Sequence, residues 1–151
     1  MISTSIGTDV IALLERVRAR TTRFKEIVIC SPFIDEAMLQ RLVPLLCEAR
    51  RTQCALRLIT VPEAAKRLQE RLPGHHVLWR GVIVSHRRLH AKIYLAVARR
   101  PAESEAIVTS ANLTVEGTSE NIELGVRVLA TSESGRRVLQ QVHHFVQRIA
   151  A

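Results

Sequence analysis

Residues 89–98 read Leu89-His90-Ala91-Lys92-Ile93-Tyr94-Leu95-Ala96-Val97-Ala98, and their first half alternates between apolar and polar side chains. Alternation of this kind marks a β-strand, in which successive side chains point to opposite faces of a sheet. Leu89, Ala91, Ile93, Leu95 and Val97 then share one apolar side, and His90, Lys92 and Tyr94 project together from the other. The pattern recurs downstream. Ser110 and Asn112 stand two apart at the end of a strand predicted over 105–110. Asn121 and Glu123 stand two apart on a strand predicted over 121–130, opposite Ile122, Leu124, Val126 and Val128. Three polar pairs, each backed by aliphatic residues, imply one polar floor on a shared sheet.

Upstream the order is helix, strand, helix, strand, helix. Val10, Leu13, Leu14 and Val17 recur at helical spacing after the start signals Thr8 and Asp9. Glu26-Ile27-Val28-Ile29-Cys30 is short and β-branched, as a buried strand is, and Ser31-Pro32 ends it. Asp35 is placed to cap a helix carrying Met38, Leu39, Leu42, Leu45, Leu46 and Ala49, with a kink or break expected at Pro44. Ala55 to Thr60 is the next strand, and Pro62 opens a helix ending near Leu72, before a Pro73-Gly74 turn. A strand near 76–80 begins the later run of strands. Val138, Leu139, Val142, Phe145, Val146 and Ile149 close the chain as an amphipathic helix. The expected architecture is α/β: a mixed β-sheet sandwiched by helices, in one domain spanning 1–151.

The chain has 151 residues, 47% of them hydrophobic and 24% charged, a globular composition large enough for a core without staples. Aromatics are 3%, so the core is expected to be aliphatic. Cys30, Cys47 and Cys54 form no CxxC and cannot all pair, which argues against a disulfide framework and for a reducing compartment. The longest apolar stretch, Ile93 to Ala98, falls far short of the roughly 18 residues that span a bilayer. The start, MISTSIGTDV, has no basic segment followed by an apolar one, so the expected setting is cytoplasmic. The formal charge of +8 favours a polyanionic partner.

The polar inventory suits phosphodiester chemistry. A neutral imidazole can attack phosphorus, and a lysine can offset charge developing on the oxygens. Asn and Ser donate to phosphate oxygens, and a glutamate can hold the second ring nitrogen of a histidine. Each residue alone would be ordinary surface or core. Their joint occurrence in this order is what carries the reading. The pairs His75-His76 and His143-His144 lack the spacing and the neighbouring Cys or carboxylate cluster of a zinc site, so no metal site is expected.

His90-x-Lys92, then Thr109-Ser110-Ala111-Asn112-Leu113-Thr114, then Asn121-Ile122-Glu123-Leu124-Gly125 together resemble the phospholipase D superfamily. Ile29-Cys30-Ser31-Pro32-Phe33-Ile34 is similar to that family's first strand and its exit. The resemblance implies a metal-independent phosphodiesterase with no cofactor. His90 would be the nucleophile that becomes a phosphohistidine, Lys92 would bind the phosphoryl oxygens, and Glu123 would buttress a histidine. Ser110 and Asn112 match the family's GSxN element, with Thr109 in place of its glycine.

Two departures matter. The family pattern HxKxxxxD would put an aspartate at 97, where this chain has Val97. Some related branches, tyrosyl-DNA phosphodiesterases among them, also lack that residue. The family site also uses two motifs, one histidine attacking while the other protonates the leaving oxygen. This chain has a single HxK, since His86-Arg87-Arg88 is not a second copy and neither His75-His76 nor His143-His144 is followed two residues later by lysine. A two-fold homodimer would restore the missing half, with His90, Lys92, Asn112 and Glu123 from each subunit.

The expected catalytic set is therefore His90, Lys92, Asn112 and Glu123. Ser110, Asn121, Tyr94, Arg87 and Arg88 are the expected substrate contacts, the two arginines as backbone-tracking cations before the motif strand. Arg127 is more simply explained by an ion pair within the fold. The net charge favours nucleic acid, DNA or RNA, over lipid as substrate. Two alternatives stay open: a nucleic-acid-binding module that has lost turnover, and a lipid phosphodiesterase.

Overall fold

The computed structural model describes residues 1–3, 5–71 and 79–151. One seven-stranded sheet runs in the order β1-β7-β6-β5-β2-β3-β4. Its strands are β1 (Ile2–Ser3), β2 (Phe24–Cys30), β3 (Ala55–Thr60), β4 (Ile83–Ser85), β5 (Ile93–Ala98), β6 (Glu105–Thr109) and β7 (Gly125–Leu129). β2, β3 and β4 are parallel, while β5, β6, β7 and β1 continue the sheet antiparallel. Among the described residues the helices with both ends defined are α1 (Ile6–Ala19), α2 (Glu36–Arg51), α3 (Pro62–Arg71) and α4 (Glu133–Ile149).

Two aliphatic cores lie on the two faces of the sheet. Ile27 and Ile29 of β2 pack with Leu13 of α1 and Leu42 of α2. Val28 and Cys30, the alternate residues of β2, pack with Leu139 and Val146 of α4. This is the mixed sheet between helices that the periodicity predicts. Among the described residues, no helix is long and apolar enough to cross a membrane.

Asp35 caps α2 as expected, its carboxylate accepting from the Met38 N–H at 2.8 Å. The same side chain accepts from the Val115 N–H at 2.6 Å, tying α2 to a loop 80 residues away. α2 runs through Pro44 as one helix, so of the kink or break expected there the break does not occur. Pro44 and Gln40, whose carbonyl loses its i+4 donor, both lie on the exposed side of the helix, while buried Leu42, Leu45 and Leu46 hold it down.

The later strands are shorter than predicted, for one physical reason. β2 ends at Cys30, which lies opposite Ile93, and the chain then turns at Ser31-Pro32. Residues 89–92 therefore have no ladder partner on that side, and β5 begins only at Ile93. Likewise β6 ends at Thr109 opposite Gly125, so β7 starts at Gly125 and not at 121. A five-residue π-helix, Glu116–Glu120, precedes it. Of the strand expected at 76–80, residues 76–78 lie outside the described residues, as does Pro73-Gly74. Trp79 is helical, and Arg80 and Gly81 form the turn after it, closed by Val82 N–H donating to the Trp79 carbonyl, with Gly81 at φ +74°. That left-handed backbone suits glycine. The strand that follows is β4.

Candidate active site

The registers gather four chain segments at one end of the sheet. Cys30 faces Ile93, Ile93 faces Val108, and Thr109 faces Gly125. The exit of β2, the entry to β5, the exit of β6 and the entry to β7 are therefore neighbours. They carry Ser31, then His90 and Lys92, then Ser110 and Asn112, then Asn121 and Glu123. The expected polar floor on a sheet face is absent, because helices cover both faces of β5. The polar pairs gather at the strand ends instead.

His90 is exposed, and the Lys92 ammonium curls back to donate to the His90 carbonyl at 3.1 Å. The Thr109 N–H donates to the Lys92 carbonyl at 3.1 Å, which joins the motif to the Ser110–Asn112 loop. Ser110 and Glu123 meet directly, the hydroxyl donating to Oε2. The Asn121 amide donates to the other oxygen, Oε1, at 3.4 Å. The Leu124 N–H donates to Ser110 Oγ at 3.1 Å and the Ser110 N–H to the Leu124 carbonyl at 3.0 Å, which fixes the pair of loops in register.

Sequence reasoning missed the importance of Ser31. It is fully buried, donates to the Phe33 carbonyl at 2.7 Å, lies 3.4 Å from Asn112 Oδ1, and accepts from the Leu113 N–H at 3.0 Å. It thus holds Asn112 beside the end of β2, and the contact to its carbonyl oxygen leaves the amide N–H groups available to donate. The only local signal was its place at the exit of the first buried strand.

Tyr94 corrects an expectation. It does not line an open polar surface but is fully buried in the α1/α2 core. Its hydroxyl donates to the Ala111 carbonyl at 3.1 Å, fastening the loop between Ser110 and Asn112 from beneath. Burial raises its pKa above the ordinary phenol value, Ser31 opposes the rise, and the charges of Cys30 and Glu123 add to it. Tyr94 is a positioning residue.

Arg87 and Arg88 are exposed in the turn between β4 and β5, where the Arg88 N–H donates to His86 Nδ1 at 3.3 Å. Arg127 pairs with Glu105 at 3.1 Å, and Arg16 pairs with the same carboxylate. His143 pairs with Glu26 at 2.7 Å. Among the described residues, no group of three or more His, Cys, Asp and Glu side chains could hold a metal ion.

Burial pushes the Cys30 thiol up to about 12, against the opposing pull of the Lys92 ammonium, and burial pushes Cys54 to about 11. Cys47 is exposed. A thiol-reactive chromophore at pH 8 should therefore titrate one cysteine in the folded protein and three in denaturant. Unfolded thiols ionise near 9.0. Above that value the unfolded chain sheds protons that the folded one keeps, so stability falls as pH rises toward 11–12. The limiting slope is about 1.4 kcal/mol per pH unit per thiol, and urea melts across the alkaline range measure it.

No family model matches the sequence, and no curated protein does. Solved structures do. NucT from Helicobacter pylori superposes with a TM-score of 0.64 at 11% identity, over 99% of this chain and 92% of that one. Nuc from Salmonella typhimurium, a phospholipase D family member, gives 0.56 at 11% identity, over 93% and 89%. Polyphosphate kinase from Porphyromonas gingivalis gives 0.52 at 14% identity, over 98% of this chain and 22% of that one. The chain thus shares its fold with NucT and with Nuc, the latter a phospholipase D family member, the fold that the resemblance of its motifs implied. NucT and Nuc are each matched over most of their length.

Proposed function

We propose that this chain is a metal-independent phosphodiesterase, an endonuclease of DNA or RNA, that works as a homodimer through a covalent phosphohistidine. The observation that carries the reading is the convergence of His90, Lys92, Ser110, Asn112, Asn121 and Glu123 at one sheet end. In the first step a ring nitrogen of His90 bonds to phosphorus as the P–O bond to the leaving group breaks. The partner's His90, protonated, gives its proton to that departing oxygen. It then takes a proton from water, whose oxygen displaces the histidine and restores the starting state. Lys92 and the Asn112 amide offset the charge on the phosphoryl oxygens, and Glu123 steadies an imidazole. Arg87 and Arg88 hold the flanking backbone. The surplus of +8 supports a nucleic-acid substrate, and three unpaired cysteines fit a cytoplasmic setting.

Val97 bears on the alternative of a binding module without turnover. It lies five residues beyond Lys92, roughly 17 Å along an extended chain, and packs toward α4. The aspartate missing there is remote from the reacting groups, so its absence removes nothing that touches phosphorus.

Cleavage of end-labelled DNA and RNA in excess chelator, with an acid quench to trap a labelled, acid-labile protein adduct, tests the reading. Expected are chelator-resistant products and an adduct lost in His90→Ala. Strict metal dependence, or an adduct that persists without His90, would refute the mechanism. Salt-dependent binding with no cleavage across a broad pH range would establish the binding module instead.

A further inference from the structure

The end of the sheet opposite the candidate site holds a cavity. Ala98 ends β5, Ser104 precedes β6 and Ala130 follows β7, and between them and α4 lies a space of about 180 Å³. It stands roughly 20 Å from the motif, since Ala98 is six extended residues beyond Lys92. Leu95, Val97 and Leu139 supply an apolar wall. Lys25, Ser104 and Arg136 are among its polar members, and none of the described residues lining it is acidic.

A break in register aims Lys25 into this space. Phe24 pairs with Ala98 but Glu26 with Val97, so Lys25 is an extra residue in β2. Phe24 and Ile27 both pack in the α1/α2 core, which turns Lys25 and Glu26 together toward α4. Strict alternation would have put the two on opposite faces. Bulges of this sort re-aim side chains and recur beside functional sites. Glu26 is engaged by His143 and Arg57, whereas Lys25 pairs with no carboxylate among the described residues. Arg136 has no acidic partner among them either. Its Nη1 donates to the Ala130 carbonyl at 3.2 Å, which fixes the guanidinium and leaves its other N–H groups to donate. It lies in the first turn of α4, where the helix dipole disfavours a cation, so stabilising the helix does not account for it. Ser104 Oγ accepts from the Ala98 N–H at 2.9 Å, and its own proton is left to donate.

We propose that this cavity binds a small organic anion, one carboxylate or phosphate group on an apolar body the size of a single ring. The anionic group sits against Lys25 and Arg136 with Ser104 donating, and the body lies on Leu95, Val97 and Leu139. The volume sets the size. A cavity of about 150 Å³ accommodates benzene, so 180 Å³ takes one ring and not the base and sugar of a nucleotide together. Inorganic phosphate leaves the apolar wall uncovered, and a neutral ring leaves two cations without a counter-charge. The proposal stands apart from the phosphodiesterase reading, since none of its residues belongs to the candidate active site.

Methyl-detected NMR titrations of the full chain with phenyl phosphate, inorganic phosphate and benzyl alcohol test it, with thermal melts on the same samples. Phenyl phosphate is expected to shift the Leu95, Val97 and Leu139 methyls saturably, with a Kd about tenfold or more below those of the other two probes. At a hundredfold over Kd it should raise the melting temperature by about 5–10 °C. Lys25→Gln and Arg136→Gln should each weaken phenyl phosphate about tenfold or more, the worth of one charge-assisted hydrogen bond. Both side chains are exposed, so without a probe both variants should melt with the wild type. Inorganic phosphate or benzyl alcohol binding as tightly as phenyl phosphate overturns the proposal, as does unchanged affinity in the two variants. Shifts confined to Ile93, Ile122 and Leu124 place the probe at the candidate active site and overturn it too.

Discussion

Replacing His90 by alanine is expected to lower the rate of phosphodiester cleavage by about 10⁴-fold or more, the scale seen when a covalent nucleophile is removed. Little else should change. The side chain is exposed and lies outside the ladder, so unfolding free energy should stay within about 0.5 kcal/mol of wild type. Nucleic-acid affinity should persist with the same salt slope, because the contacts to phosphate come from cations that remain. Lys92→Ala should lose less, about 10²–10³-fold, as expected for one group that stabilises charge without forming a bond. Single-turnover cleavage, filter binding and urea melts on the same preparations separate these effects. A His90→Ala protein that cleaves within tenfold of wild type contradicts the assignment of the nucleophile.

The second large effect lies beneath the site. Tyr94→Ala should cost about 3–5 kcal/mol, the usual penalty for deleting a large, wholly buried ring. Tyr94→Phe keeps the ring but leaves the Ala111 carbonyl without its partner, at about 1–3 kcal/mol. Ala111 sits between Ser110 and Asn112, so the phenylalanine variant should also lower kcat about tenfold or more through misplacement, with KM little changed. A tyrosine that touched substrate would behave oppositely, raising KM while the melting temperature stayed fixed. Thermal melts and steady-state kinetics on the one variant distinguish the two.

These outcomes bear on how much the amino-acid pattern could reveal. β2, α2 and β3 were legible because each is bounded by its own chemistry: a β-branched run ended by Ser31-Pro32, an Asp35 cap, and a strand ended before Pro62. The late strands were over-extended because Leu89, Ala91, Ile122 and Leu124 keep the apolar rhythm past the point where a neighbour exists. Rhythm records which side chains could face a core. It does not record where the adjacent strand stops.

Tyr94 misled for a related reason. Alternation assigns it the face of His90 and Lys92, yet helices cover both faces of β5, and burial replaces exposure within two residues. The candidate site itself was legible in its residue types, His90-x-Lys92 and the paired polar positions after β6 and before β7. Its supports were not. The contact of Ser31 with Asn112 and the bonds from Leu113 to Ser31 and from Val115 to Asp35 span about 80 residues and leave no local trace.

Val97 and Glu26 are cross-strand partners on the face packed by α4, and Glu26 there already engages His143 and, at 3.4 Å, Arg57. An aspartate introduced at 97 would stand against an existing carboxylate and compete for the same partners. Val97→Asp should therefore melt below wild type, and less so when Glu26 is made glutamine. This patch of the sheet therefore accommodates an acid on one strand at a time, and Glu26 already occupies the place.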